Sequence, residues 1–218
     1  MLSSEICGDK YSLQALEDAQ EQAWTLLHKL SSNLCAGLRE SEFRIYVIDT
    51  ILRETGRKSW HPPQVRFGPN TSLGFNEPAK EDWVLKENDI AFIDIGPIYH
   101  DHEADVGATI TIGDSPIFRK IVSDCSEVFQ LTHKAWANDK LSGAKLYEFA
   151  QSQAHERGWA LGDRGARGHR IGDFPHSIHH RGRLVDVVDT PSAHRWILEI
   201  QLKSPDLSFG AFYEDMLK

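Results

Sequence analysis

Apolar positions at helical spacing, then apolar positions in strict alternation, divide the first half of the chain. Over residues 12–34, Leu16, Ala23, Leu27, Leu30 and Leu34 recur on one helical face between polar runs such as EDAQEQ, which predicts a long amphipathic helix. Gly37 interrupts it. Residues 41–54 predict a second helix with Phe43, Val47, Ile48, Ile51 and Leu52 inward, closed at Gly56. Residues 60–77 carry short β-like pieces around the turn signal Gly68-Pro69-Asn70. Residues 90–112 then read as two apolar strands. Phe92, Asp94 and Gly96 share one face, with Ala91, Ile93 and Ile95 opposite. In the return strand Asp105, Gly107, Thr109 and Thr111 oppose Val106, Ala108, Ile110 and Ile112, so both acids can face the same way.

The pattern then starts again. Residues 116–137 are apolar at Ile117, Ile121, Val128, Leu131 and Ala135, and residues 144–157 give a shorter helix ending at Gly158. Strand-like segments follow, and RWILEIQL, a turn at Ser204-Pro205-Asp206 and LSFGAFYEDMLK close the chain. In this second hairpin Ile197, Glu199 and Gln201 oppose Trp196, Leu198, Ile200 and Leu202, so Glu199 takes the place of Asp94 and Glu214 answers Asp105. Offsets of 105 residues from Asp94 to Glu199 and 102 from Gly56 to Gly158 suggest an internal duplication. The expected fold class is α+β: two helix-helix-hairpin halves sharing one curved, mostly antiparallel sheet that brings four carboxylates together. With no Pro/Gly/Ser linker, residues 1–218 are expected to form one domain, residues 1–10 being an N-terminal tail.

Composition narrows the partners. The 218 residues, 40% of them hydrophobic, suffice for a sizeable globular core. A formal net charge of −8 without a Lys/Arg run argues against nucleic acid or an anionic membrane surface as the main partner. The N-terminus has no basic start and no long apolar stretch, and no later apolar run approaches membrane-spanning length, so a cytoplasmic location is expected. Cys7, Cys35 and Cys125 are odd in number and lack a CxxC, against both a disulfide framework and a thiolate zinc site; Cys35 and Cys125 are expected on helices.

Either aspartate alone reads as a structural carboxylate bonded to loop amides or an arginine. Two facing acids raise the cost of burial through mutual repulsion, and a divalent metal is the simplest way to hold both. Histidines in the Gly-rich stretch 168–176 would, alone, read as surface loop residues. Beside four carboxylates, one neutral imidazole completes a set whose four negative charges two divalent ions cancel. Such donors suit Mn²⁺ first, with Co²⁺, Fe²⁺ or Zn²⁺ as alternatives, and do not suit copper or a thiolate cluster. Two ions about 3.5–4 Å apart can activate a water as nucleophile and polarise a carbonyl.

The ordered series Asp94, Asp105 eleven residues on, His169 in Gly-His-x-Ile-Gly, Glu199 in a strand and Glu214 in Phe-Gly-x-x-x-Glu-Asp resembles the pita-bread metallopeptidases: methionine aminopeptidase, aminopeptidase P, prolidase and creatinase. The resemblance extends from about Tyr11 to the end. It implies a pita-bread fold in which Asp94 chelates one metal, His169 and Glu199 hold the other, and Asp105 and Glu214 bridge. Glu199 would also handle the proton of the attacking water, and His176, seven residues after His169, would hydrogen-bond substrate and the developing tetrahedral centre. The implied activity is an aminopeptidase or dipeptidase acting on a short peptide.

Departures from the family pattern fall at expected substrate positions. Asn76 stands about where a histidine is usual, Ile200-Gln201 where a Pro-Gly or similar pair follows the first glutamate, Arg170 where there is a second glycine, Phe212 where the proline-specific branch has arginine, and Gly107 where threonine is common. No N-terminal domain like that of aminopeptidase P, prolidase and creatinase is expected in residues 1–218, which would correspond to the bare catalytic unit. Two alternatives are therefore kept: a hydrolase or lyase for a small non-peptide amide, and a pita-bread binding module without chemistry. A homodimer is left open. His100, Asp101, His102 and Glu103 are expected in a solvated hairpin turn, with a mononuclear iron site built from them as a weaker reading. Trp24, Trp83 and Trp136 are expected to pack.

Overall fold

Ser12 and Ser142 each turn a hydroxyl back onto the third residue of a helix, Ser12 accepting from Ala15 N–H and Ser142 from Lys145 N–H, and Pro116 opens another. In this computed structural model, which describes residues 2–162 and 165–218, the chain runs α1 (Leu13–Ser31), α2 (Glu40–Thr55), β1 (Gln64–Phe67), β2 (Asp89–Ile95), β3 (Ile98–Tyr99), β4 (His102–Glu103), β5 (Val106–Ile112), α3 (Pro116–Asp139), α4 (Gly143–Glu156), β6 (Ala160–Leu161), β7 (His169–Arg170), β8 (Trp196–Lys203) and β9 (Gly210–Met216). Gly56 ends α2 and Gly158 follows α4, both at positive φ (69° and 83°), where a side chain would be strained.

The hairpins β2–β5 and β8–β9 share one sheet, joined where β5 meets β9; its strand order is β1-β2-β5-β9-β8-β6, with β7 also beside β8 and every pairing antiparallel. Helices cover one face in two groups. Ala23, Leu27 and Val47 from α1 and α2 meet Ile93 and Val106. Val128 and Leu146 from α3 and α4 meet Leu198 and Ile200. Each such side chain is almost fully enclosed, and each Leu, Ile or Val among them contributes about 1.5–3 kcal/mol. Burying Leu198 and Ile200 under helices turns Glu199 to the opposite face, so the alternation that builds the core also aims the acids.

Several expectations are corrected. The buried face of α2 is Phe43, Val47 and Ile51 together with Glu40 and Thr50, while Ile48 and Leu52, one position further round the helix, are exposed. Cys35 lies in the turn after α1, whereas Cys125 is on α3 and buried. The register pairs Asp94 with Gly107 and Glu199 with Glu214. Glu214 therefore occupies the place of Gly107, and Asp105 sits two residues earlier, just before β5.

Residues 2–10 are not free of the body; Met1 lies outside the described residues. Residues Ser3–Glu5 form one 3₁₀ turn, and Glu5 is fully enclosed, accepting from the Ser192 amide and hydroxyl and from Trp196 Nε1. Arg170, also buried, donates to the carbonyls of Ser4, Ile6 and Arg195. Glu5→Ala strands three donors and should cost about 1–3 kcal/mol, read as a lower midpoint in urea; an unchanged midpoint would show that this segment does not contribute to the fold.

Candidate metal centre

Strand register aligns Asp94 with Gly107, Gly107 with Glu214, and Glu214 with Glu199, so one row across the middle of the sheet carries three carboxylates and a glycine. Asp105 adds a fourth carboxylate to the same cleft, and its backbone is fixed by the Gln20 side chain, which accepts from Asp105 N–H and donates to its carbonyl. Asp94, Asp105 and Glu214 are at most 5% exposed. His169 enters from β7, its Nε2 2.8 Å from Asp105 Oδ2. Its Nδ1 lies 2.7 Å from the Arg170 carbonyl; donation there leaves the Nε2 lone pair for a ligand. Glu199 Oε2 accepts from Gly168 N–H, which ties the Gly-His turn to β8.

Sequence reasoning did not find His61. Its Nε2 lies 3.1 Å from Asp105 Oδ1 and 3.6 Å from Asp94 Oδ1. Two donor groups result, His61 with Asp94 and Asp105, and Asp105 with His169 and Glu214, Asp105 belonging to both. The Trp-His-Pro-Pro run before β1 was the available signal, since two prolines stiffen a loop. Trp60, equally unforeseen, places its ring against those of His61, His169 and His176.

His100–Glu103 does not form a solvated turn throughout. His100 and Asp101 sit at the turn, Asp101 pairing with Lys10 and Arg57. His102 and Glu103 are buried and engaged elsewhere. His102 Nε2 accepts from Ser12 N–H, and its Nδ1 faces the His100 carbonyl. Glu103 accepts from the His176 backbone N–H and contacts His176 Nδ1. That pair fixes His176, whose ring stacks on His169 with centroids 6.2 Å apart. The iron reading of the four residues loses its donors.

Electrostatics follow from four acids and two imidazoles in one cleft. Burial raises Asp94 to about 7, with the Asp105 and Glu199 charges adding to it and His61 opposing. Burial also raises Glu199 and Glu214, the latter helped by the charges of Asp105, Asp94 and Glu199. Asp105 goes the other way: burial is outweighed by His61 and His169, and its carboxyl falls to about 2. The same contacts overcome burial in both imidazoles and raise His61 to about 10 and His169 to about 9. Among the described residues, Asp94 Oδ1 and Glu214 Oε1 are buried without a hydrogen-bond partner. An oxygen-rich donor set with unsatisfied carboxylate oxygens fits hard or borderline divalent cations.

The altered positions separate into two kinds. Arg170 and Ile200 face away from the cleft, one holding the N-terminal segment and the other in the helix-covered core. Gln201 and Phe212 line a small adjoining pocket that shares Asp94 and Glu199 with it, and Asn76 lines the cleft itself. Gln201 donates to the Thr71 and Leu73 carbonyls and so holds the loop after β1. Phe212 and Gly107 are linked: a Cβ on Gly107 would lie 2.5 Å from Phe212 Cε1 and 2.7 Å from Glu214 Oε1. Gly107 pairs with Glu214, and the Phe212 ring leans diagonally over Gly107, into space that a side chain there would fill.

Comparison with known proteins agrees with this geometry. The model of metallopeptidase family M24 matches residues 14–211. The chain belongs to that family, and its fold is the pita-bread fold. Among solved structures, the X-Pro aminopeptidase from Thermotoga maritima superposes with a TM-score of 0.80 at 20% identity, over 97% of this chain and 59% of that one. The prolidase from Pyrococcus furiosus gives 0.77 at 18% identity, over 98% and 62%. The Xaa-Pro dipeptidase from Bacillus anthracis gives 0.77 at 19%, over 98% and 59%. The chain thus spans about three fifths of the length of these relatives. No curated protein matches it. Among the described residues no helix is long and apolar enough to cross a membrane.

Gly107→Ala should destabilise the fold by about 1–3 kcal/mol through overpacking. Phe212→Ala is itself costly but removes the crowding ring, so the double variant should lose less than the sum of the two single losses in denaturant unfolding. Simple additivity would show that the two positions are independent.

Proposed function

We propose that this M24 chain is a dinuclear metal-dependent hydrolase, an aminopeptidase or dipeptidase that cleaves a short peptide. The observation that carries the proposal is Asp105, which turns Oδ1 toward His61 and Oδ2 toward His169 and belongs to both donor groups. One carboxylate so placed can serve two ions. Asp94 would hold the first, His169 and Glu199 the second, and Asp105 and Glu214 would bridge. Mn²⁺ is the first choice, with Co²⁺, Fe²⁺ and Zn²⁺ as alternatives. Bound ions would supply the activated water and the Lewis acid that polarises the scissile carbonyl.

The chain's own groups do the rest. Glu199, with a raised pKa and its Oε2 anchored by Gly168, takes the proton of the attacking water and passes it to the leaving amine. His176, held through Nδ1 by Glu103, would donate from Nε2–H to substrate and to the oxyanion that develops during attack when both ring nitrogens carry protons. Phe75, Phe92, Ala166 and Phe212 give the small adjoining pocket an apolar wall beside Arg66 and Gln201. Because Phe212 brings no charge where the proline-specific branch has arginine, a small non-peptide amide with an apolar substituent is the second reading. A binding module without chemistry is the third. A cytoplasmic location accords with the sequence.

A panel of Xaa-Pro, Met-Xaa and apolar dipeptides plus simple amides, assayed with Mn²⁺, tests the reading. Peptide turnover supports the first reading, amide-only turnover the second, and none in the metal-loaded chain the third. His176→Ala should keep both ions and lose about 10²–10³ in rate, whereas His169→Ala should lose metal and rate together. Equal metal loss in both variants would contradict the assigned roles.

Metal binding should also strengthen with pH. Below about pH 7 Asp94 carries a proton that an entering ion must displace, and His169 holds its proton up to about 9. Binding therefore releases protons, and Mn²⁺ affinity should rise from about pH 6 to 9. Calorimetric titration in buffers of different ionisation heat measures both, and an affinity flat across that range would contradict the assignment.

A further inference from the structure

His61 has no counterpart in the five-residue ligand series, yet it is built into the cleft as His169 is. Each ring directs Nδ1 at the carbonyl of the residue that follows it, His61 at Pro62 (3.1 Å) and His169 at Arg170 (2.7 Å). Each then presents Nε2 to a different oxygen of Asp105. An imidazole whose Nδ1–H is held by a carbonyl has its Nε2 lone pair available and its ring plane set, the usual preparation of a ligating histidine.

The backbone around His61 holds it there. Trp60 N–H donates to the Gly96 carbonyl and Trp60 Nε1 to the Ala104 carbonyl, which straps the loop over the start and end of the β3–β4 excursion. Pro62 and Pro63 stiffen the exit. Gly96 leaves room for the ring: a Cβ there would lie 2.3 Å from His61 Cδ2 and Nε2. The side chain is only 11% exposed and faces Asp94 Oδ1, one of the buried oxygens without a hydrogen-bond partner.

We infer that His61 is a sixth metal ligand, binding through Nε2 the divalent ion held by Asp94 and Asp105. The inference rests on the dinuclear reading above and changes it in one respect: each ion takes one imidazole, so the two halves of the centre have similar donor sets. A neutral sixth ligand leaves the charge balance of four carboxylates and two divalent ions intact. Greater nitrogen content in the first site shifts its preference from Mn²⁺ toward Co²⁺ or Zn²⁺.

The test uses the full chain in three forms: unmodified, His61→Ala, and Gly96→Ala, which crowds the ring out without removing a donor. Calorimetric titration with Mn²⁺ and with Co²⁺ gives stoichiometry and affinity. Proton NMR of the Co²⁺-loaded chain counts the exchangeable Nδ1–H signals shifted by a bound paramagnetic ion. The unmodified chain should show two such signals and two sites. Each variant should show one signal and one site weakened by at least the roughly 10–100-fold typical of losing even an outer-sphere partner, the other site unchanged. Two tight sites with a single shifted imidazole signal in the unmodified chain would overturn the role of His61 and leave the dinuclear reading standing. Failure of the unmodified chain to bind either ion would overturn both. The signal count in the unmodified chain decides the matter even if a variant does not fold.

Discussion

Four carboxylates share one cleft on a sheet whose other face is sealed by helices. Asp94, Glu214 and Glu199 lie in a single cross-strand row, and Asp105 adjoins it. Charge repulsion and lost hydration oppose that arrangement, and the raised pKa values of Asp94, Glu199 and Glu214 register the opposition. Neighbouring cations relieve it, and within the chain those are His61 and His169. The sheet register that groups the acids is set by apolar alternation on the covered face, so the core and the cleft are two consequences of one pattern.

The near-symmetry of the two halves explains where the centre falls and where it departs from symmetry. Joining β5 to β9 places the hairpins edge to edge and the acids at the seam. Gly107 stands opposite both Asp94 and Glu214, and its missing side chain admits the Phe212 ring and the Glu214 carboxylate. Gly107 and Phe212 thus form one coupled departure from the family pattern. Arg170 is a departure of another kind, since it binds the N-terminal segment to the body and leaves the cleft alone.

Much of this was legible in the residues. Period 3.6 gave the four helices, period 2 gave both hairpins, and the Asp-Asp-His-Glu-Glu series in its motifs pointed to the family that the M24 match then showed. What escaped depends on contacts distant in sequence. His61 meets Asp105 44 positions away, and Glu103 meets His176 73 away. Neither pairing leaves a periodic trace. Ile48 and Leu52 misled because each lies one position round α2 from Val47 and Ile51, just outside the buried stripe, a difference that spacing alone does not resolve. The exchange of Gly107 for Asp105 as the partner of the Glu214 position reflects a two-residue difference in hairpin length that the sequence repeat was too sparse to resolve.

The central claim is that this cleft holds two divalent ions with Asp105 between them. An anomalous-difference map from a crystal grown with Mn²⁺ tests it most directly. Two peaks about 3.5–4 Å apart, one beside Asp94 and the other beside His169 and Glu199, with Asp105 reaching both, is the predicted result. A single peak at saturating Mn²⁺, or two peaks that Asp105 does not bridge, would contradict it.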